Sequence, residues 1–356
     1  MRQFFSSPKI HYNHKRSFCF FYYEGKRIRI YNGKCIGQNI YPNKKKYKNE
    51  VLGELDRLKK SLSDALKNDW MPNNPYSVIK KDIPIEKNDF TSNYERSIFQ
   101  ERANLQIYEH LDIGSKMVAK EIANLMIKKQ NLGKKCVLGL ATGSSPISVY
   151  KELINMHNNE GLSFENVITF NLDEYVPMNP KSIHSYHFFM HEKLFNHINI
   201  KKENINIPQG NIDINNIQSY CINFEKKIEN NGGLDLQLLG IGRTGHIGFN
   251  EPGSLPTSIT RLTNIDYLTK FDASEDFQGI ENVPSKAITM GVKTITKAKK
   301  IILLAWGEAK RSVIKKAVED PPSETIPASY LQNHSNTTFI LDKESSSTLN
   351  RISCPW

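Results

Sequence analysis

Leu234 to Gly253 reads LDLQLLGIGRTGHIGFNEPG, an apolar run that gives way abruptly to a glycine-studded loop. The run has the length and composition of a buried strand. The loop carries one imidazole, His246, and, five residues later, one carboxylate, Glu251. An imidazole in a loop of this shape, with a carboxylate to orient it and balance its charge, suits proton transfer near neutral pH. The alternative is a structural histidine. Gly240, Gly242 and Gly245 also match the dinucleotide fingerprint G-x-G-x-x-G. That reading requires a long helix after the third glycine, whose first turn holds the pyrophosphate. Gly248, Pro252, Gly253 and Pro256 follow instead, so no such helix is expected and the stretch reads as an active-site loop.

Outward from this loop, strands alternate with helices from about residue 93 onward, the pattern of an α/β domain. Ile113 to Lys129 is amphipathic, with Met117, Val118, Ile122, Leu125 and Met126 apolar. Cys136 to Leu140, Val167 to Asn171, Leu234 to Leu239 and Ile301 to Ala305 are apolar runs of strand length, and Pro146 to His157 is a helix between the first two. The expected fold is an open, mostly parallel sheet with helices on both faces, Rossmann-like. Each of these strands stops at a polar or glycine-rich segment, and in such sheets ligands bind at the carboxyl ends of strands. Those segments should therefore converge on one crevice.

Two more of them carry chemistry. In Leu140 to Pro146 (LATGSSP), a strand ends in Thr142, Gly143, Ser144 and Ser145, and Pro146 opens a helix where its missing N–H costs nothing. Free backbone N–H groups, a close-approaching glycine and hydroxyls make a phosphate cradle; the alternative is an ordinary Ser-capped helix. In Val167 to Tyr175 (VITFNLDEY), the strand delivers Asp173 and Glu174, which point to opposite faces of an extended backbone, so at most one enters the crevice. A partly desolvated carboxylate there can act as a general base on a carbon-bound proton, or it can cap a helix or loop. His184, His187 and His191 have helical spacing, but no matched carboxylate or cysteine accompanies them, and Phe188, Phe189 and Met190 read as core. No metal site and no cofactor are expected. Lys299 and Lys300, ahead of a buried strand, read as solvated.

The 356 residues suffice for one large or two modest domains. The five cysteines (Cys19, Cys35, Cys136, Cys221, Cys354) are scattered, with no C-x-x-C pair, which points to a reducing cytoplasm rather than a disulfide framework. Phe18 to Tyr23 is too short for a signal core, and no segment has membrane-spanning length. The net charge of +11 is uneven: residues 1–70 hold 16 Lys and Arg against 6 Asp and Glu, and the rest hold 32 against 31. A basic block favours polyanion contact. Within it, Phe18 to Ile30 reads as a hairpin turning at Glu24-Gly25-Lys26, with a second turn signal at Asn32-Gly33. After the lysine run Lys44, Lys45, Lys46 and Lys48, the positions Val51, Leu55, Leu58, Leu62, Ala65 and Leu66 keep helical spacing to near Trp70. The expected division is a basic hairpin-plus-helix unit over 1–70, a Pro/Asn-rich linker over 71–92, and the α/β domain over 93–356.

Taken together, LATGSSP, TFNLDEY, GIGRTGHIGFNEP, VPSKAITMGV and WGEAKRS, in order over roughly residues 98–356, resemble the glucosamine-6-phosphate deaminase family. The resemblance implies conversion of glucosamine 6-phosphate and water to fructose 6-phosphate and ammonia. It implies that Asp173 moves the proton from sugar carbon 2 to carbon 1, and that His246 and Glu251, with Thr244, serve ring opening. Thr142, Gly143, Ser144, Ser145 and Lys310 would hold the phosphate. The chain departs from the family pattern at Thr244, where Asp is common, and at Glu275, where an arginine that clamps the phosphate is expected. Arg243, Arg261 or Lys270 would then compensate.

Residues 1–70, through FFYYEGKRIRIYNGKCIGQNIYPN and DALKNDWMP, resemble the leading segment of tyrosine recombinases, without their catalytic domain. The closing RISCPW reads as a stop inside a longer form, since some relatives continue into a domain resembling a sugar de-N-acetylase. Partners expected are a small sugar phosphate, DNA held weakly by residues 1–70, and a second copy of the chain. Two other functions stay open: a catalytically weakened sugar-phosphate sensor or DNA-tethered regulatory protein, and a 6-phosphogluconolactonase-like hydrolase, for which carbon-2 proton exchange by Asp173 would have no use.

Overall fold

The computed structural model of the chain describes residues 8–12, 17–23, 26–31, 39–44, 48–67 and 103–350. Two compact units, Met1–Asp89 and Phe90–Trp356, divide the chain. In the first, β1 (Lys9–His11), β2 (Phe18–Tyr23) and β3 (Lys26–Ile30) form an antiparallel sheet in that order. Helix α1 (Lys48–Lys67) buries Leu55, Leu58 and Leu62 with Cys19, Ile30 and Ile40, a single stripe of helical period. Strands β2 and β3 are the arms of the expected hairpin; β1, at three residues, is too short to show a period in sequence. Glu24-Gly25, Asn32-Gly33, Lys45, Lys46, Trp70 and the linker over 71–92 lie outside the described residues.

The second unit runs β4 (Asn104–Tyr108), α2 (Leu111–Asn131), β5 (Cys136–Leu140), α3 (Ile147–Glu160), β6 (Val167–Asn171), β7 (Asp173–Val176), α4 (Tyr186–Lys193), β8 (Ile205–Asn206), α5 (Ile217–Asn230) and β9 (Leu236–Gly240). It continues with β10 (Arg261–Asn264), α6 (Tyr267–Ala273), β11 (Lys286–Thr289), α7 (Val292–Thr296), β12 (Ile301–Ala305), α8 (Arg311–Glu319) and β13 (Thr337–Asp342). Seven strands form one sheet in the order β4-β13-β12-β9-β5-β6-β8, every neighbouring pair parallel. Helices α2, α3 and α4 cover one face, packing Ile122, Tyr150 and Met190 with Leu138 and Leu236. Helices α5, α7 and α8 cover the other, packing Phe224, Ile295 and Ile314 with Phe170 and Leu303. Burial on both faces is why β5, β6 and β12 read as continuous apolar runs.

Chain order turns back at β5: β6 and β8 extend the sheet one way, and β9, β12 and β13 extend it the other. The crevice between the ends of β5 and β9 is the switch point at which such sheets bind ligands. A second, antiparallel sheet of β10, β11 and β7 stands against it. Leu172, between β6 and β7, donates its N–H to Leu140 O (3.0 Å) and accepts from Met290 N (2.7 Å), tying the two sheets together. Nothing in the sequence signalled this small sheet, because β10 and β11 have four residues each.

Three local expectations change. Lys299 is not merely solvated: its Nζ and that of Lys129 each lie 2.7 Å from the buried Asp235, which also accepts the Val137 N–H at 3.0 Å. Lys300 pairs with Glu121. Phe188 is exposed rather than core, because α4 turns Met190 inward. Among the described residues no helix is long and apolar enough to cross a membrane, and no three His, Cys, Asp or Glu side chains cluster as metal ligands.

Candidate active site

A cavity of about 740 Å³ opens at the switch point, walled by the β5–α3 turn, β7, the loop after β9, α6 and Lys310. Thr142, Gly143, Ser144 and Ser145 all line it. Gly143 has φ +90° while a Cβ there would meet nothing within 4 Å, so backbone conformation, not crowding, selects glycine. Helix α3 begins after Pro146 with no side-chain cap; the Ser-capped alternative is not what the turn adopts. Tyr150 and Trp306 pin it from behind, donating to Ala141 O (2.5 Å) and Ser145 O (3.0 Å).

Asp173 and Glu174 divide their tasks as alternation requires. Asp173 lines the cavity and is buried, opposite Thr289 in the register of β7 and β11. Burial, and secondarily the charge of Glu174, push its carboxyl well above the ordinary carboxylate range. No described residue donates a hydrogen bond to that carboxylate, so nothing offsets the desolvation. A Cβ on Gly248 would come within 3.1 Å of Asp173 Oδ2; glycine lets the loop close on the acid. Glu174 turns away from the cavity and accepts the N–H groups of Tyr175, Tyr186 and His187, each at 3.0 Å, capping α4. Burial pushes its carboxyl up to about 7 against those three bonds.

Across the cavity, His246 is held through one ring nitrogen. Nδ1 lies 2.9 Å from Thr244 Oγ1 and 3.1 Å from Glu251 Oε2, and Thr244 donates to the same carboxylate oxygen at 3.1 Å. Thr269 Oγ1, from α6, donates to Glu251 Oε1 at 2.6 Å and lies 3.3 Å from Nδ1. Burial would raise the Glu251 carboxyl, but hydrogen bonding and charge from His246, then Thr269 and Thr244, outweigh it and hold the group below its usual value. His246 lines the cavity, whereas Thr244 and Glu251 stand behind the ring. Both bond the imidazole through Nδ1. Gly242 makes room for it: a Cβ there would fall 2.0 Å from His246 Cε1.

Lys310 lines the cavity beside the loop after β9, donating Nζ to Ile241 O at 2.8 Å; burial, then nearby Arg243, lower its pKa. Glu275 is exposed and absent from the cavity wall, because α6 ends at Ala273 and the chain turns before that residue. Glu275, which stands where a phosphate-clamping arginine is expected, therefore does not face the cavity. Of the three basic residues expected to compensate, only Arg243 lines the cavity; Arg261 donates to Asn250 (2.9 Å) and Ser254 (3.2 Å) instead. Thr269 and Asp272 escaped the sequence reading, since a short helix without apolar periodicity gives no signal that it faces a site. His184, weighed in the sequence only as a metal ligand and set aside as one, lines the cavity and stacks on Phe277 with centroids 4.6 Å apart.

The model of the family described as glucosamine-6-phosphate isomerases/6-phosphogluconolactonase matches residues 114–340. A Clostridium botulinum protein named glucosamine-6-phosphate deaminase is 49% identical over 235 residues, which cover 66% of this chain and 94% of that protein. A longer Bacteroides thetaiotaomicron protein, named as a glucosamine-6-phosphate deaminase-like protein, is 48% identical over 265 residues; the match covers 74% of this chain and 40% of that protein. Among solved structures, a monomeric glucosamine-6-phosphate deaminase described as a missing link of the NagB superfamily superposes with a TM-score of 0.66 at 39% identity, covering 68% of this chain and 99% of that one. A 6-phosphogluconolactonase from Trypanosoma brucei shares the fold, with a TM-score of 0.58 at 18% identity over 70% of this chain and 100% of that one. The recombinase-like reading of residues 1–70 is not shown by these matches. With a parallel sheet, a cavity at its switch point and a family match over most of that sheet, the chain belongs to the glucosamine-6-phosphate isomerase/6-phosphogluconolactonase family.

Proposed function

We propose that residues 93–356 form a glucosamine-6-phosphate deaminase, turning glucosamine 6-phosphate and water into fructose 6-phosphate and ammonia. The observation that carries this reading is that Asp173 and His246 line one cavity together with the Thr142–Ser145 turn and Lys310. The turn and Lys310 bind the 6-phosphate, and anchoring that remote anion positions the reacting end of the sugar. His246, held through Nδ1, moves a proton between the anomeric hydroxyl and the ring oxygen through Nε2, opening the ring. Thr244 and Glu251 fix the tautomer and stabilise the imidazolium. Thr244 in place of an acid leaves the charge balance to Glu251, which is held ionised.

Asp173 then removes the proton on carbon 2, the electron pair moving to give an enolamine, and returns a proton to carbon 1. Water adds to the resulting imine at carbon 2, and its collapse to the ketone releases ammonia. A carboxyl whose pKa is raised by burial is a stronger base toward a carbon acid than an ordinary carboxylate. The test is a coupled ammonia assay with glucosamine 6-phosphate on the full chain beside Asp173→Asn. Ammonia release should fall by about a hundred- to ten-thousandfold; release unaffected by that substitution removes Asp173 from the mechanism.

A further inference from the structure

Arg243 and Lys310 are the arginine and lysine that line the cavity among the described residues. They are close enough for the charge of Arg243 to lower the pKa of Lys310, in addition to burial. Both belong to the cavity that also contains the hydroxyl-rich turn Thr142–Ser145. Two adjacent cations there call for an anion, and the protein supplies one: Asp272, on α6, engages Arg243 with both carboxylate oxygens, Nε to Oδ2 at 2.8 Å and the second nitrogen to Oδ1. That fork is the geometry by which guanidinium takes either a carboxylate or a phosphate. The Arg243 and Asp272 side chains are 46% and 42% exposed, and an ion pair so exposed contributes little to stability, so a more highly charged anion can exchange for it. Among the described residues, Lys310 is bonded only to the neutral Ile241 carbonyl, so no carboxylate competes with the same ligand for it.

We propose that Asp272 is an internal stand-in for the substrate's phosphate: it engages Arg243 before substrate binds, and the phosphate of a sugar phosphate displaces it to sit between Arg243 and Lys310. This rests on the sugar-phosphate reading of the cavity, and it adds a phosphate ligand, Arg243, and a built-in competitor, Asp272. Removing the competitor should tighten phosphate binding, whereas removing the cation should weaken it. A merely structural ion pair would give both changes the same sign.

The experiment measures the dissociation constant of inorganic phosphate by calorimetry, and the KM for glucosamine 6-phosphate, on the full chain and on Asp272→Asn, Arg243→Gln and the double variant. Asp272→Asn should lower both constants by about three- to thirtyfold, and Arg243→Gln should raise both by about ten- to a hundredfold. In the double variant the gain from Asp272→Asn should vanish. Unchanged or weakened phosphate binding in Asp272→Asn overturns the proposal, and this arm decides it alone should Arg243→Gln not fold. Phosphate binding needs no turnover. A wild-type chain that binds phosphate with the expected variant pattern but releases no ammonia overturns the deaminase reading and supports this one; normal turnover with unresponsive variants overturns this one and leaves the deaminase reading intact.

Discussion

Burial in the cavity wall pushes the Asp173 carboxyl well above the ordinary carboxylate range, with Glu174 adding to the shift. A group that binds its proton more tightly folded than unfolded contributes stability that is complete below the ordinary carboxylate pKa and is lost as pH rises through the folded value. Ionised Asp173 therefore works against the fold at the pH where the proposed base must be ionised. Asp173→Asn should raise the thermal midpoint at about pH 8, and the difference from wild type should close toward about pH 4, as read by scanning calorimetry. The acid limb of kcat/KM should also lie above the usual carboxylate range. A wild-type midpoint equal to or higher than that of the variant at the upper pH would count against the raised pKa. Gly242 makes a sharper steric case. Its Cβ would sit 2.0 Å and 2.1 Å from His246 Cε1 and Nε2, so Gly242→Ala must move the imidazole. Ammonia release should fall about a hundredfold with an unchanged far-ultraviolet circular dichroism spectrum.

Helix α6 has seven residues, too few to be stable alone. Asp266 caps it by accepting the Leu268 N–H at 2.8 Å, and through Thr269 it holds the carboxylate that holds His246. Orientation of the imidazole thus depends on an element of low intrinsic stability. Thr269→Val should lower kcat about tenfold and KM little, because the bond it removes is worth on the order of 1 to 2 kcal/mol; Thr269→Ser should restore activity. Steady-state kinetics decide it, and equal loss in the Val and Ser variants would exclude the hydrogen bond as the cause. This helix also marks where sequence reading stopped. Strands β5, β6 and β12 were legible to the residue because burial on both faces enforces a continuous apolar run. In α2 the stripe Val118, Ile122 and Met126 was legible, and Met117, expected with it, is exposed because it falls off that face. The four-residue strands β10 and β11 and the seven-residue α6 carry no period long enough to detect, and Thr269 and Asp272 went unread with them.

Three segments of the second unit meet at Asp235: Lys129 of α2, Val137 of β5, and Lys299 ahead of β12. Burial alone would raise this carboxyl, but hydrogen bonds from both lysines and the Val137 N–H outweigh it and hold the group below its usual value. Its contribution is present above the ordinary carboxylate pKa and is lost as pH falls through the folded value. Asp235→Asn should cost about 2 to 4 kcal/mol at neutral pH, with the gap closing toward about pH 3; denaturant midpoints at the two pH values test both parts. The meeting of Asp173 and His246 in one cavity was legible because the parallel topology brings strand ends together, whereas each residue taken alone also had a structural reading, a cap for the acid and a structural role for the histidine. Asp235, at the opposite ends of the strands, was not read, since its partners are set by packing across 64 to 106 residues. The sheet order has one more consequence. Among the described residues, strand β4 sits at an edge with β13 as its one neighbour, and Asn104 meets Thr338 across 234 positions. At a ribosomal pace of about 5 to 20 residues per second, β4 emerges on the order of ten to fifty seconds before its mate, so a nascent chain must keep that segment from pairing elsewhere until β13 has been made.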